Sequence, residues 1–260
     1  MGITASHLVP ADRDRVWDWH TRKGAVVRLT PPFLPMTPVK QAESLRSGTT
    51  VFSLPAGVKW EARHLVELYR AGEQFADQAV NQPIKTLTGW THTHQFADAT
   101  TNDGSPATRI TDTVEANVPE FALRSAFAYR QHQLIEDFKF IDSLPETKPL
   151  TVAITGASGL VGSHLSAQLT TARHSVISLT RSDPGEDERK WDPDNPASDL
   201  LEGVDAVVHL AGESIMGRFT EEKKRKIRDS RIGPTRKLAK LAADSGVETF
   251  VCASAVGYYG

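Results

Sequence analysis

Residues 150–162 read Leu-Thr-Val-Ala-Ile-Thr-Gly-Ala-Ser-Gly-Leu-Val-Gly, an apolar run ending on three glycines spaced Gly156-x-x-Gly159-x-x-Gly162. A helix-like segment follows, with Leu160, Val161, Leu165 and Leu169 near helical spacing. A second apolar run then carries Val176, Ile177 and Leu179. Strand, glycine turn, helix and strand in this order make a cradle for a diphosphate. The first glycine permits the tight turn. The second lets the backbone approach the phosphate, and the third lets the helix pack close to the strand. The expected contacts are Gly156, Ala157, Ser158, Gly159, Leu160, Val161 and Gly162, because a helix N-terminus points its unpaired amides at the anion. The expected ligand class is a dinucleotide, with a glycine-rich turn that holds no ligand as the alternative.

The tip of the second strand selects between dinucleotides. An acidic residue there accepts hydrogen bonds from the ribose of NAD, and a basic one neutralises the 2′-phosphate of NADP. Ser178-Leu-Thr-Arg181-Ser182 places Arg181 at that tip, so NADP is expected over NAD. Asp183 comes two residues later, ahead of Pro184, and belongs to the loop.

Around these residues the elements order themselves. Val152, Ile154, Val176, Ile177 and Leu179 suit buried parallel strands. Thr220 can cap a helix whose first turn holds Glu221 and Glu222. The charge run Lys223–Arg228 reads as the solvated face of that helix. Pro234 after Gly233 predicts a break or kink before the pattern resumes at Leu238, Leu241 and Ala242.

Ser143-Leu-Pro-Glu-Thr-Lys-Pro149 separates two domains, 1–145 and 149–260. The first reads as strand, helix, several strands and a long helix. Ile3–Val9 suit a strand, and a short helix begins around Pro10–Trp19 with the proline near its first turn. Alternation then puts Trp60, Ala62, His64, Val66 and Leu68 on one face. It groups Trp90, His92, His94 and Phe96 on another, and Ile110, Asp112, Val114, Ala116 and Val118 on a third. Asn102-Asp-Gly104 supplies a hairpin turn. Leu123, Phe127, Leu134, Phe138 and Ile141 form the apolar stripe of a helix over 120–143. His92 and His94 point the same way, but no Asp, Glu or Cys stands beside them at ligand spacing. They are read as hydrogen-bonded or cavity-lining histidines, and no metal is expected.

The TGASGLVG form of the glycine turn resembles the short-chain dehydrogenase/reductase superfamily, in particular its extended, epimerase-like branch. Asp205-Ala-Val-Val-His-Leu-Ala-Gly212 resembles that superfamily's fourth-strand motif, which lines the cofactor. This adds Leu210, Ala211 and Gly212 to the cofactor residues. Ala253-Ser-Ala-Val-Gly-Tyr-Tyr-Gly260 resembles its fifth strand, which carries the active-site serine. Ser254 is therefore the candidate for catalysis and for a cofactor contact. Its hydroxyl could equally bond to backbone at a strand end. Trp191-Asp-Pro193, Glu213-Ser214 and Ser230-Arg231 extend the resemblance to a subgroup described as nucleoside-diphosphate-sugar epimerases, whose substrates are generally unknown.

The resemblance covers 148–260. It implies a Rossmann-like α/β parallel sheet, incomplete at the C-terminus, in an NAD(P)-dependent epimerase, dehydratase or reductase. The implied substrate is a small carbonyl or nucleotide-sugar-like molecule. Three departures keep open a regulatory or ligand-binding protein that holds NADP without turnover. No Tyr-x-x-x-Lys follows in this part, Ala255 takes the strict serine position, and Arg231 stands where the superfamily often has a relaying Asn. The missing elements read as belonging to a longer protein.

An antiparallel sheet curled around a long C-terminal helix is the α+β helix-grip arrangement. With the early Pro10-Ala-x-x-x-x-Val16-Trp17, the first domain resembles the polyketide-cyclase and START-like superfamily. That implies a cavity for an apolar small molecule, against a filled core as the alternative.

The net charge of −2 gives no general electrostatic attraction for nucleic acid or an anionic membrane. No segment is apolar over a membrane-spanning length, and no export signal opens the chain. Cys252 is the single cysteine and reads as a small core residue in a protein of the reducing cytoplasm. Homo-oligomers are left open.

Overall fold

The computed structural model describes residues 2–145 and 148–253 and divides into two compact units, Met1–Glu146 and Thr147–Gly260. Unit 1 runs through β1 (Gly2–Val9), α1 (Arg13–Thr21), α2 (Ala25–Leu29), β2 (Thr37–Lys40), β3 (Thr49–Ser53), β4 (Lys59–His64) and β5 (Gln74–Ala79). It continues with α3 (Ile84–Thr88), β6 (Thr91–Thr100), β7 (Pro106–Glu115) and α4 (Glu120–Ser143). The strands form one antiparallel sheet in the order β1-β7-β6-β5-β4-β3-β2. β6 and β7 form a long hairpin. Its turn is closed by Thr101 N–H donating to Ser105 O (3.0 Å) and by Gly104 at φ +84°.

The long helix buries Leu134 and Phe138 in one cluster with Val9, Val16 and Trp19, and Phe127 in another with Val114 and Ala116. Each such side chain contributes roughly 2 kcal/mol of burial. The same helix also buries Asp137, which forms a bidentate pair with Arg28 of α2 (Nε to Oδ2, 2.9 Å).

Two local expectations are corrected. α1 is capped by Asp12, whose Oδ1 accepts from Arg15 N–H (3.0 Å), so Pro10 lies ahead of the helix. A short polar acceptor satisfies a first-turn amide, which a proline ring cannot do. On the other side of the sheet β4 stops at His64. Val66–Leu68 curl into a single 3₁₀ turn and leave the shared face, with Val66 and Leu68 exposed.

Unit 2 is an open parallel sheet. β8 (Thr151–Thr155), α5 (Leu160–Thr171), β9 (Ser175–Thr180), β10 (Glu188–Lys190), β11 (Ala206–His209), α6 (Glu221–Asp244) and β12 (Thr249–Cys252) follow in order. The sheet order is β10-β9-β8-β11-β12, every pair parallel. The chain runs one way from β8 to β10 and the other way from β11 to β12. The crevice outside the C-terminal ends of β8 and β11 is therefore the topological switch point, where open α/β sheets bind ligands. Ala153, Ile154, Val207 and Leu238 anchor the core.

α6 does not break at Pro234. The ring costs the bond to the carbonyl of Ser230, but Pro234, Leu238 and Ala242 lie four residues apart and are all buried, so packing holds the helix through it. Among the described residues Cys252 is exposed rather than in the core, on a strand paired there with β11 alone. No helix among the described residues is long and apolar enough to cross a membrane.

Candidate functional site

At the end of β8 the chain must turn sharply into α5. Gly156 does so at φ +70°. A Cβ there would lie 3.0 Å from both Leu210 C and Ala211 N, so the bare Cα is what lets the β8 and β11 tips approach. The crowding at Gly156 thus comes from the neighbouring loop and not from a ligand. At Gly162 a Cβ would lie 2.2 Å from Gly156 O and 2.8 Å from Ala157 Cα, so this glycine seats the helix on the turn itself. Gly159 differs from both. A Cβ would meet only Gly156 O, at 3.2 Å, and its remaining surroundings are open.

Gly159 is also the N-cap of α5 and gives the helix no side-chain cap. The first turn has no acidic residue, and Ser158, Gly159, Leu160 and Val161 are exposed. The amides of this first turn and the positive end of the helix dipole therefore face the crevice bare, which is how a helix receives an anion. Ala157 is packed beneath, against the sheet.

The opposite wall is held by one hydroxyl. Thr155 Oγ1, fully buried, accepts from the amides of Leu210 and Ala211 (both 3.1 Å). Its own proton therefore goes to His209 Nδ1 (2.7 Å). That bond fixes His209 as the neutral Nε2–H form, and burial lowers its pKa in the same direction. Gly212 follows, with the Arg231 guanidinium carbon 2.9 Å from where a Cβ would lie. Arg231 Nη1 donates to Glu213 O (3.0 Å) and Ile227 O (3.2 Å), while Glu213 N–H donates to Ser230 Oγ (2.9 Å). Arg231 is thus engaged as a clamp between α6 and the loop after β11. Sequence reasoning passed over the Thr155 tie, although its position immediately before the first glycine was visible.

Arg181 is exposed immediately beyond β9, on the β8 side of the sheet order. Lys223 and then Lys226 hold the Glu213 carboxyl below its ordinary range, and Arg181 adds the smallest contribution. Asp183 is paired with Lys190 (3.0 Å). Ser254, Ala255, Tyr258 and Tyr259 lie outside the described residues.

Residues 152–260 match the NAD dependent epimerase/dehydratase family. An epimerase family protein of Mycobacterium bovis is 47% identical over 113 residues, 42% of this chain and 38% of that protein. The epimerase family protein YfhF of Bacillus subtilis is 38% identical over 120 residues, 43% of this chain and 39% of that protein. The crystal structure of the nucleoside-diphosphate sugar epimerase from Corynebacterium glutamicum is 52% identical, with a TM-score of 0.89. The match covers 99% of this chain and 55% of that one. The fold of both units therefore recurs in that protein. The present chain spans a little over half of its length, and about two fifths of the length of the curated relatives.

Unit 1 holds a second concentration of chemistry. A cavity of about 310 Å³ opens between sheet and helices, with walls that include Leu29, Phe52, Trp60, Trp90 and Phe127. On its floor the strand registers converge four side chains. Asp77 of β5 stands opposite His92 of β6, and His94 stands opposite Asp112 of β7. Asp112 Oδ1 lies 2.7 Å from His94 Nδ1 and 3.0 Å from His92 Nε2, and Asp77 Oδ2 lies 3.7 Å from His94 Nε2.

Burial, followed by the adjacent His94, pushes His92 down to about 4. Burial also acts most strongly on His94, yet the hydrogen bond of Asp112 and the nearby Asp77 carboxylate outweigh it and raise its pKa. Burial likewise opposes ionisation of Asp112, but the two histidines hold it well below the usual carboxylate range. Higher in the cavity, burial pushes His20 down to about 3, against the bond to Val16 O (2.8 Å). Arg130 Nε is buried without an acceptor among the described residues.

The sequence reading placed His92 and His94 correctly on an inward face but found no carboxylate beside them. The carboxylates come from the strands on either side. A charged residue at an apolar parity, as in Phe75-Ala-Asp77-Gln-Ala79 and Ile110-Thr-Asp112-Thr-Val114, was the available signal.

Proposed function

We propose that unit 2 binds NADP, and NAD more weakly, and that the protein is an epimerase, dehydratase or reductase acting on a small carbonyl or nucleotide-sugar-like substrate. The observation that carries this reading is the uncapped N-terminus of α5 at the switch point, with the glycine turn and the Thr155-tied loop forming its two walls. These residues fit the group. The amides from Leu160 to Gly162 receive the diphosphate, the loop Leu210–Gly212 lines the adenosine side, and Arg181 neutralises a 2′-phosphate. When bound, a nicotinamide supplies hydride transfer to or from a carbon bearing oxygen. This chain's part is to bind and orient the cofactor. Ser254 is the residue proposed to touch both cofactor and substrate.

The nucleoside-diphosphate sugar epimerase of Corynebacterium supports the substrate class. For unit 1 we propose a START-like role, holding an apolar small molecule in its cavity. The expected partners are small molecules, not nucleic acid or membrane, in a cytoplasmic protein. Homo-oligomers remain compatible with it. A second reading, cofactor binding without turnover, draws support from Arg231, which is committed to the loop where the superfamily often has a relaying Asn.

Titrating the full-length protein with NADPH and NADH tests the first step. Wild type should prefer NADPH, and Arg181→Asp should reverse that preference by about tenfold or more. An unchanged preference would place 2′-phosphate recognition elsewhere. NADPH turnover across a panel of carbonyl and sugar-nucleotide substrates separates catalysis from sensing.

A further inference from the structure

Asp77, His92 and His94 on the cavity floor, with Asp112 buried beside them, are arranged as ligands and support for an ion. One ring nitrogen or carboxylate oxygen from each of Asp77, His92 and His94 lies within 4.8 Å of the other two. The separation between His94 Nε2 and Asp77 Oδ2, 3.7 Å, is too long for a hydrogen bond. It is close to the roughly 3.3 Å between two ligands on one tetrahedral ion with bonds of about 2.0–2.1 Å.

Asp112 completes the pattern. Its Oδ1 engages one ring nitrogen of each histidine, at 2.7 and 3.0 Å, and leaves each the other nitrogen. A carboxylate that takes the second ring N–H of a ligating histidine is the usual way to fix its tautomer and raise its basicity. Asp77, His92 and His94 all line the cavity, whereas Asp112 lies buried outside that lining. The three ligand residues therefore border open space and the supporting carboxylate does not.

We propose that Asp77, His92 and His94 bind one divalent first-row transition ion, zinc foremost, with Asp112 as the positioning residue for both histidines. Two imidazoles and one carboxylate are a donor set suited to zinc and to iron(II). The remaining coordination position faces the apolar cavity. There it would receive an oxygen or nitrogen donor from a neutral, mainly apolar molecule. This site is independent of the dinucleotide crevice and stands or falls separately from it.

The test uses the full chain, freed of its purification tag and stripped with a chelator. Zn2+ alone is titrated by calorimetry, and Co2+ by visible absorbance. Wild type should take up about one equivalent per chain and give the intense d–d bands of low-coordinate cobalt. Asp77→Asn and His94→Gln should each weaken binding by at least about a hundredfold. Asp112→Asn should weaken it by about 10–100-fold with the stoichiometry unchanged. Far-UV circular dichroism and melting curves show which variants remain folded. X-ray absorption on zinc-loaded wild type needs no variant, and should show two imidazoles in the shell. Failure of folded wild type to take up either ion, an all-oxygen shell, or wild-type affinity in folded His94→Gln would overturn the proposal.

Discussion

The two candidate sites are built from opposite materials. The crevice of unit 2 is made by leaving things out: three glycines without side chains, a helix without a cap, a first turn without an acid. The cavity floor of unit 1 is made by putting costly things in, with two carboxylates and two imidazoles taken out of water. The first arrangement is sensitive to volume, because at Gly156 and Gly162 a Cβ has nowhere to go. The second is sensitive to charge, because each buried group relies on a partner to offset its desolvation. The same kind of substitution should therefore act differently in the two units.

The largest effect is expected at Gly162. A valine side chain would start 2.2 Å from Gly156 O, so Gly162→Val should cost more than about 4 kcal/mol and abolish NADPH binding. Chemical denaturation of the variant measures it, and a near-wild-type midpoint would show that the helix can shift away from the turn. Next comes Asp137→Ala in unit 1, which strands the Arg28 guanidinium in the interior. The two side chains are only 11% and 3% exposed, and breaking such a pair costs about 3–5 kcal/mol. A loss under 1 kcal/mol would mean that water reaches Arg28.

Acid should then weaken unit 1. His20 and His92 are held neutral in the fold, at about 3 and about 4, against about 6.5 in the unfolded chain. The unfolded chain binds more protons in that window. Their stabilisation is thus complete above about pH 6.5 and lost as pH falls toward 4 and then 3. Asp112 adds a loss below its unfolded value near 3.8. His94, raised, works the other way, stabilising below about 6.5 and less as pH rises through its folded value. Melting from pH 7.5 to 4.5 should show net destabilisation of unit 1, and His20→Gln should flatten that slope. An identical slope in the variant would contradict the assignment.

The smallest effect on stability is predicted at Gly159. Gly159→Ala should stay within about 0.5 kcal/mol, since its Cβ meets a single atom at 3.2 Å. It should still weaken NADPH binding about tenfold by intruding on the bare helix end. Equal losses in stability and binding would erase the distinction between Gly159 and Gly162.

How much of each site could be read from the chain follows from how each is wired. The glycine turn is contiguous, so its spacing alone carried the strand, the turn, the helix and the expected ligand. The loop Leu210–Gly212 came only through resemblance, since nothing local says that the chain end of β11 lies beside that of β8. Thr155 was visible, but its bonds to Leu210, Ala211 and His209 are made across more than fifty residues. The helix through Pro234 and the exposed Cys252 show the same limit, because local rules gave way to packing in one case and to sheet position in the other. In unit 1, alternation placed His92, His94 and Asp112 on inward faces. It could not say that Asp77 stands across from His92, which is a matter of register between strands.

That register gives the β6–β7 turn an influence far beyond its exposed position. Thr100 pairs with Pro106 beside the turn, and His94 pairs with Asp112 roughly 20 Å down the same ladder. Adding or deleting one residue between Asn102 and Gly104, a change that surface loops ordinarily absorb, would slide one arm past the other. Asp112 would then point out of the opposite side of the sheet. A solvent-facing corner thus acts as the alignment pin for chemistry it never touches, and length polymorphism there would be a more severe lesion than most substitutions in the interior.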